Sequence, residues 1–171
     1  MDLKTELLAE HSKTQALKIA SYVGADQERF DALMYLFLEE EYRVTQRAAW
    51  VILFAVEAHP ALLKKHLRKV VENLAQPLPD AVKRNTLRIL QSWDLPEDLL
   101  GFTAEICFQF LDDPKEAVAI RVFSMTVLYN ICVKEPELAN ELRLVIEDHL
   151  PHGTAGFKSR GKKILKALRR L

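Results

Sequence analysis

Residues 44–56 read VTQRAAWVILFAV: one arginine, Arg47, and then nine consecutive uncharged apolar residues, Ala48 to Val56. A helix over that stretch has no polar side and has to be covered all round. A permanent cation at its mouth therefore needs a reason. The surrounding sequence narrows the choice. Leu, Ala, Glu, Lys and Arg dominate, only five glycines occur, and the seven prolines fall between apolar segments. Val, Ile and Thr nowhere alternate with polar residues at the two-residue period of a half-buried strand. With 171 residues, 49% of them hydrophobic and 28% charged, the chain suits one soluble, folded, all-α domain spanning 1–171.

Arg47 has counterparts. Arg84 lies in AVKRNTLRIL, Arg121 in VAIRVFSMTVL and Arg160 in FKSRGKKIL, at a sequence period of 37 that lengthens slightly at the last copy. Upstream, SKTQALKIA places Gln15 a little less than one period before Arg47, as in a degenerate first copy covering 1–40. Each of three arginine segments is followed by a proline, Pro60, Pro96 or Pro136. The same offset then leads from each proline to a closing apolar residue, Leu74, Phe110 or Leu150. Proline suits the first turn of a helix, where its missing N–H costs nothing. The pattern predicts an array of helix pairs. Arginine-bearing helices are expected over 12–23, 42–58, 80–93, 115–133 and 155–170, with partners over 2–9, 27–40, 61–75, 97–112 and 137–149. DDPKEA at 112–117 and PLPDAV at 77–82 are read as helix starts. Interior helices of such an array should be apolar nearly all round, as Ala48–Val56 and Val122–Val133 are, while an end helix keeps a polar side. In 155–171 Phe157, Gly161, Ile164, Leu168 and Leu171 form one stripe and bases cover the rest, so this segment is expected to be a basic capping helix.

The segments EEEYRVTQRAAWVIL, PDAVKRNTLRIL and DDPKEAVAIRVFSMTVL resemble the second helix of HEAT and armadillo-like repeats: an acidic or proline-containing turn, then Val, Arg, a small residue and an apolar run. The resemblance covers nearly the whole chain and implies a right-handed α-α superhelix of about five stacked helix pairs. The period is short for that family. Valine precedes arginine by three positions at Val44 and Val118 but by two at Val82, so the third copy departs from the pattern. The resemblance further implies a structural ladder of Arg47, Arg84, Arg121 and Arg160. In it each guanidinium bonds acids at the preceding turn and carbonyls of neighbouring repeats. Glu40 or Glu41 is the acid expected for Arg47, Asp80 for Arg84, and Asp112 or Asp113 for Arg121.

Acids and bases balance at 24 each, so no bulk field favours nucleic acid or anionic lipid. The distribution is uneven: residues 158–171 hold seven bases and no acid, leaving the rest of the chain at a net charge of −7. No apolar signal core opens the chain and no uncharged run spans a bilayer, and Cys107 and Cys132 sit in apolar runs, so a cytoplasmic setting is expected. The histidines lack the spacing of a metal site and no catalytic motif is present, so neither metal, cofactor nor enzyme activity is expected. Two features suit binding. One is a groove along the arginine-bearing helices, with Trp50, Arg84, Arg88, Arg121 and Tyr129 as candidates against the alternative that the aromatics are core. The other is a basic end made of Lys158, Lys162, Lys163, Lys166, Arg169 and Arg170, against the alternative that these bases only solvate a cap. The leading expectation is a protein–protein interaction module, as a monomer or weak homodimer. The alternative is a DNA-binding protein similar to the helical glycosylases for alkylated bases, to which Trp50 and Trp93 with Arg84 and Arg88 are a faint likeness.

Overall fold

The computed structural model describes residues 1–171 and contains ten α-helices and no strand. They form two compact units, Met1–Ile89 and Leu90–Leu171. The helices are α1 (Leu3–Ala9), α2 (Lys13–Val23), α3 (Gln27–Glu39), α4 (Tyr42–Ala58), α5 (Leu67–Asn73), α6 (Asp80–Leu90), α7 (Glu97–Asp112), α8 (Val118–Lys134), α9 (Ala139–His149) and α10 (Ala155–Leu168). Short 3-10 turns, Pro60–Leu63 and Pro136–Leu138, open with the prolines that the sequence places at helix starts.

Local chemistry sets the boundaries. Asp2, Ser12, Asp26 and Thr154 each accept, through a side-chain oxygen, the N–H three positions on, and so begin α1, α2, α3 and α10. Gly24, at φ 53°, ends α2 in a conformation that few other residues adopt. In the first unit α1, α2 and α3 all pack on α4, which accounts for its apolar run: Ala48, Ala49, Val51, Ile52, Leu53, Ala55 and Val56 are all buried. In the second unit α7, α9 and α10 pack on α8 in the same way.

The expected 80–93 helix stops early, at Leu90, and two others are modified more deeply. The 61–75 helix is broken, because the Leu62 carbonyl accepts from Gln27 Nε2 at 3.2 Å and the His66 N–H bonds Leu63 O at 2.9 Å, tightening the chain into a turn. That turn is fastened to α3 by Asp31, whose carboxylate accepts from Gln27 at 2.9 Å, lies 2.6 Å from His66 Nε2 and pairs with Lys65. The second correction concerns α8, which starts at Val118 and not at 115. Asp113 Oδ1 accepts the Lys115 N–H at 2.8 Å and closes a separate turn, after which Ala117 is extended at ψ 138°. Glu41, at the N-cap of α4, makes no side-chain cap bond, while Glu40 takes the Lys4 ammonium at 2.8 Å.

The Asp31 fastening carries a prediction. Hydrogen bonds from Lys65, Gln27 and His66 hold the Asp31 carboxyl well below its ordinary value. A depressed pKa contributes stability that is complete above the unfolded value of about 4 and fades as pH falls below it. Asp31→Asn should cost about 1 kcal/mol at neutral pH, allowing for solvent screening. It should also flatten the decline in stability below pH 4, as read by urea unfolding across pH. An unchanged acid slope would refute the assignment.

The arginines do not share one structural position. Helices α4, α6 and α8 begin at Tyr42, Asp80 and Val118, so successive helix starts stand one position further apart than Arg47, Arg84 and Arg121 do. Each copy therefore slips by one residue, about 100° around a helix of about 3.6 residues per turn. Arg47 is half-buried, Arg84 is exposed, and Arg121 is buried at 7% exposure. In α6 the position matching Arg47 is held by buried Asn85. Arg84 thus stands outside the expected ladder, and the departure at Val82 is where the slip becomes visible in sequence.

Candidate functional site

The arginines that face inward meet carbonyls. Arg47 Nη1 donates to Leu7 O at 2.7 Å, and Gln15 Nε2 donates to Glu6 O at 2.9 Å. Both acceptors lie in the last turn of α1, where carbonyls have no partner within the helix. Arg121 Nε donates to Leu111 O at 2.9 Å, in the last turn of α7, and its guanidinium carbon sits 4.4 Å from the centre of the Phe157 ring on α10. Burial draws the Arg121 pKa down, opposed by the fields of Asp113 and Asp112, neither of which reaches ion-pair distance. Arg160 Nη1 donates to Gln91 Oε1 at 3.1 Å and to Thr126 Oγ1. Neither Arg47 nor Arg121 bonds the acid expected for it. An arginine suits such joints because its fork is rigid and weakly hydrated.

The groove candidates are dispersed. Trp50, Arg84 and Arg88 belong to the first unit, Arg121 and Tyr129 to the second. Trp50 is half-buried, its ring 5.5 Å from that of His11 and 6.1 Å from that of Phe54. Arg84 and Arg88 are exposed, and Arg88 meets Glu57 at 3.3 Å. Tyr129 is half-buried, whereas Arg121 is covered and does not line a groove.

The basic end is a defined surface. Helix α10 buries Phe157, Gly161 and Ile164 against its unit. A Cβ built on Gly161 would stand 2.9 Å from Leu150 Cδ1 and 3.1 Å from Ile146 Cγ2, so glycine permits the close approach to α9. Leu171 lies past the end of the helix and is exposed, so it leaves the expected stripe. Lys162, Lys163, Lys166, Arg169 and Arg170 are exposed and Lys158 is half-buried. None of the six is paired with a carboxylate of the chain.

A family profile described as HEAT repeat domain matches residues 3–168. The chain belongs to the HEAT repeat family. No curated protein matches it, and no solved structure does. The helix pairs of this HEAT repeat chain, apolar where neighbours cover them, are what the family's architecture requires. No helix is long and apolar enough to cross a membrane.

Sequence reasoning missed a cleft of about 610 Å³ in the first unit, lined by Met1, Leu3, Lys4, Tyr22, Arg29 and Tyr35 among others. Arg29 stacks 4.3 Å from the centre of the Tyr22 ring and donates to Tyr22 O at 2.7 Å. Tyr35, 62% exposed, was the only aromatic signal on the outer side of α3. The two thiols lie inside the HEAT repeat core, where burial pushes Cys107 up to about 12 and Cys132 to about 11. Neither is a thiolate at neutral pH.

Proposed function

We propose that this HEAT repeat chain is a non-enzymatic interaction module that uses the outward face of α10 to bind an anionic protein surface. The observation that carries the reading is a helix held rigidly by Phe157, Gly161 and Ile164 while six cations on its other side have no counter-ion. A rigid helix fixes where the lysine and arginine side chains emerge, so binding orders side chains and not backbone, and complementary charge speeds encounter and sets orientation. The free, buried cysteines suit a reducing, cytoplasmic setting. Trp50, Arg84, Arg88 and Tyr129 remain secondary contact candidates in their respective units, and the first-unit cleft is a further one.

The alternative of binding DNA finds less support, since Trp50 packs on His11 and Phe54 and Arg88 is paired with Glu57. Comparative capture with the wild type and a Lys162→Glu/Lys166→Glu/Arg169→Glu variant tests the proposal. A stoichiometric protein partner should be retained by the wild type and lost by the folded variant. Equal recovery by both would overturn it. A duplex titration across salt separates the alternative, because phosphate contacts produce a steep negative salt slope.

A further inference from the structure

We infer that the outward face of α10 docks on the α7/α9 face of a second copy of this chain, giving a head-to-tail assembly. The inference rests on the binding role of α10 proposed above and names its partner. Residues 90–157 carry twelve acids and four bases, whereas residues 158–171 carry seven bases and no acid. The second unit is thus divided between two opposed charges.

On α7 and α9 the acidic part exposes two large apolar side chains among its carboxylates. Helices α7 and α9 pack together. On α7 the solvent side presents Phe102, 38% exposed, with Glu105 one turn beyond it. On α9 Glu141, Leu144 and Asp148 follow at steps of three and four, a single helical face, with Leu144 51% exposed. Glu105, Glu141 and Asp148 form no ion pair within the chain. Lys162 and Lys166 stand four positions apart on α10, and Arg169, the C-cap just past its end, follows three positions later with helical backbone angles, so the three share one face. Long basic side chains lay their methylene stems on apolar surface and keep their charges at its rim. Stems over Phe102 and Leu144 with ammonium and guanidinium groups at Glu105, Glu141 and Asp148 would satisfy both faces.

The two faces do not meet within one molecule. Helix α10 is fixed by its buried stripe against α8 and α9, so turning its cations toward the acids would expose Phe157 and Ile164. Where α10 of each copy meets the α7/α9 face of the next, the contact is heterologous and propagates as a ring or an open filament.

Sedimentation velocity of the purified full chain over a range of concentrations tests this. Average mass should rise with concentration in about 50 mM salt and fall back to monomer in about 500 mM, because exposed charges are screened. Lys162→Glu/Lys166→Glu/Arg169→Glu and Glu105→Lys/Glu141→Lys/Asp148→Lys should each weaken association by about 100-fold or more while retaining the wild-type circular dichroism. An equimolar mixture of the two variants should associate again, since each then supplies what the other lacks. A monomeric wild type at all concentrations, association that neither variant reduces, or variants that mixing fails to rescue would overturn the inference. Titrations with duplex DNA and with anionic phospholipid vesicles complete the test: saturable binding of either by a wild type that stays monomeric also overturns it. A monomer that still captures another protein through α10 sinks self-docking alone and leaves the broader binding role standing.

Discussion

Phe157→Ala should lower the unfolding free energy of residues 90–171 by about 4 kcal/mol, the largest loss expected from one side chain in that unit. Phe157 is 1% exposed and lies in the first turn of α10, where Thr154 caps the helix through the Phe157 N–H at 3.3 Å. Its ring receives the Arg121 guanidinium on one side and lies 6.2 Å from the His149 ring on another. Truncation removes the apolar burial, leaves a cavity and takes away the surface on which a buried cation rests. Phe157→Leu keeps most of the volume and should lose less than half as much. The measurement is urea unfolding followed by Trp93 fluorescence in a Trp50→Phe background, which confines the signal to the second unit. Equal losses for alanine and leucine would show that apolar volume packing α10 onto its unit is not what the ring provides.

The second large effect is expected at Arg121, and there the nature of the replacement matters more than its size. Arg121→Ala removes the stem packed against Phe157 and leaves the Leu111 carbonyl without its donor, a cost of about 3 kcal/mol. Arg121→Met keeps the stem and removes the charge. Burial already disfavours that charge, and the terminal Nη2 atom finds no acceptor in the chain. The methionine variant also leaves the Leu111 carbonyl without its donor, but it should lose only about 1 to 2 kcal/mol, since a well-packed apolar replacement avoids the desolvation cost of a buried ion. If methionine proves as damaging as alanine, the guanidinium is held by a stronger interaction than one carbonyl and one ring face.

Much of the fold was legible in the sequence because apolar spacing and proline position are direct consequences of packing. Pro60 and Pro136 open turns at the expected places, and α4 and α7 occupy the expected ranges of 42–58 and 97–112. The broken second-set helix of the first unit was not legible. Leu63, Leu67, Val70 and Leu74 keep helical spacing straight through it, and the break depends on Gln27 and Asp31, which are remote in sequence. The ladder misled for a different reason. The arginine recurrence is close to the true helix spacing, yet a slip of one residue per copy carries a side chain from half-buried Arg47 to exposed Arg84 to covered Arg121. Sequence period alone does not reveal so small a difference; the burial of Val82, Asn85, Thr86 and Leu87 in α6 does. Of the binding features, the basic run of α10 was plain from composition. The cleft of the first unit was not, since its lining comes from three short helices with no shared motif.

Alanine substitution at Arg47, Arg84, Arg121 and Arg160, each followed to equilibrium unfolding in urea, tests most directly whether these side chains do separate jobs. The expected losses are about 3 kcal/mol for Arg121, about 1 to 2 for Arg47 and Arg160, and no more than about 0.5 for Arg84. Four similar losses, or an Arg84 loss as large as that of Arg121, would contradict the slip in register and restore a uniform arginine ladder.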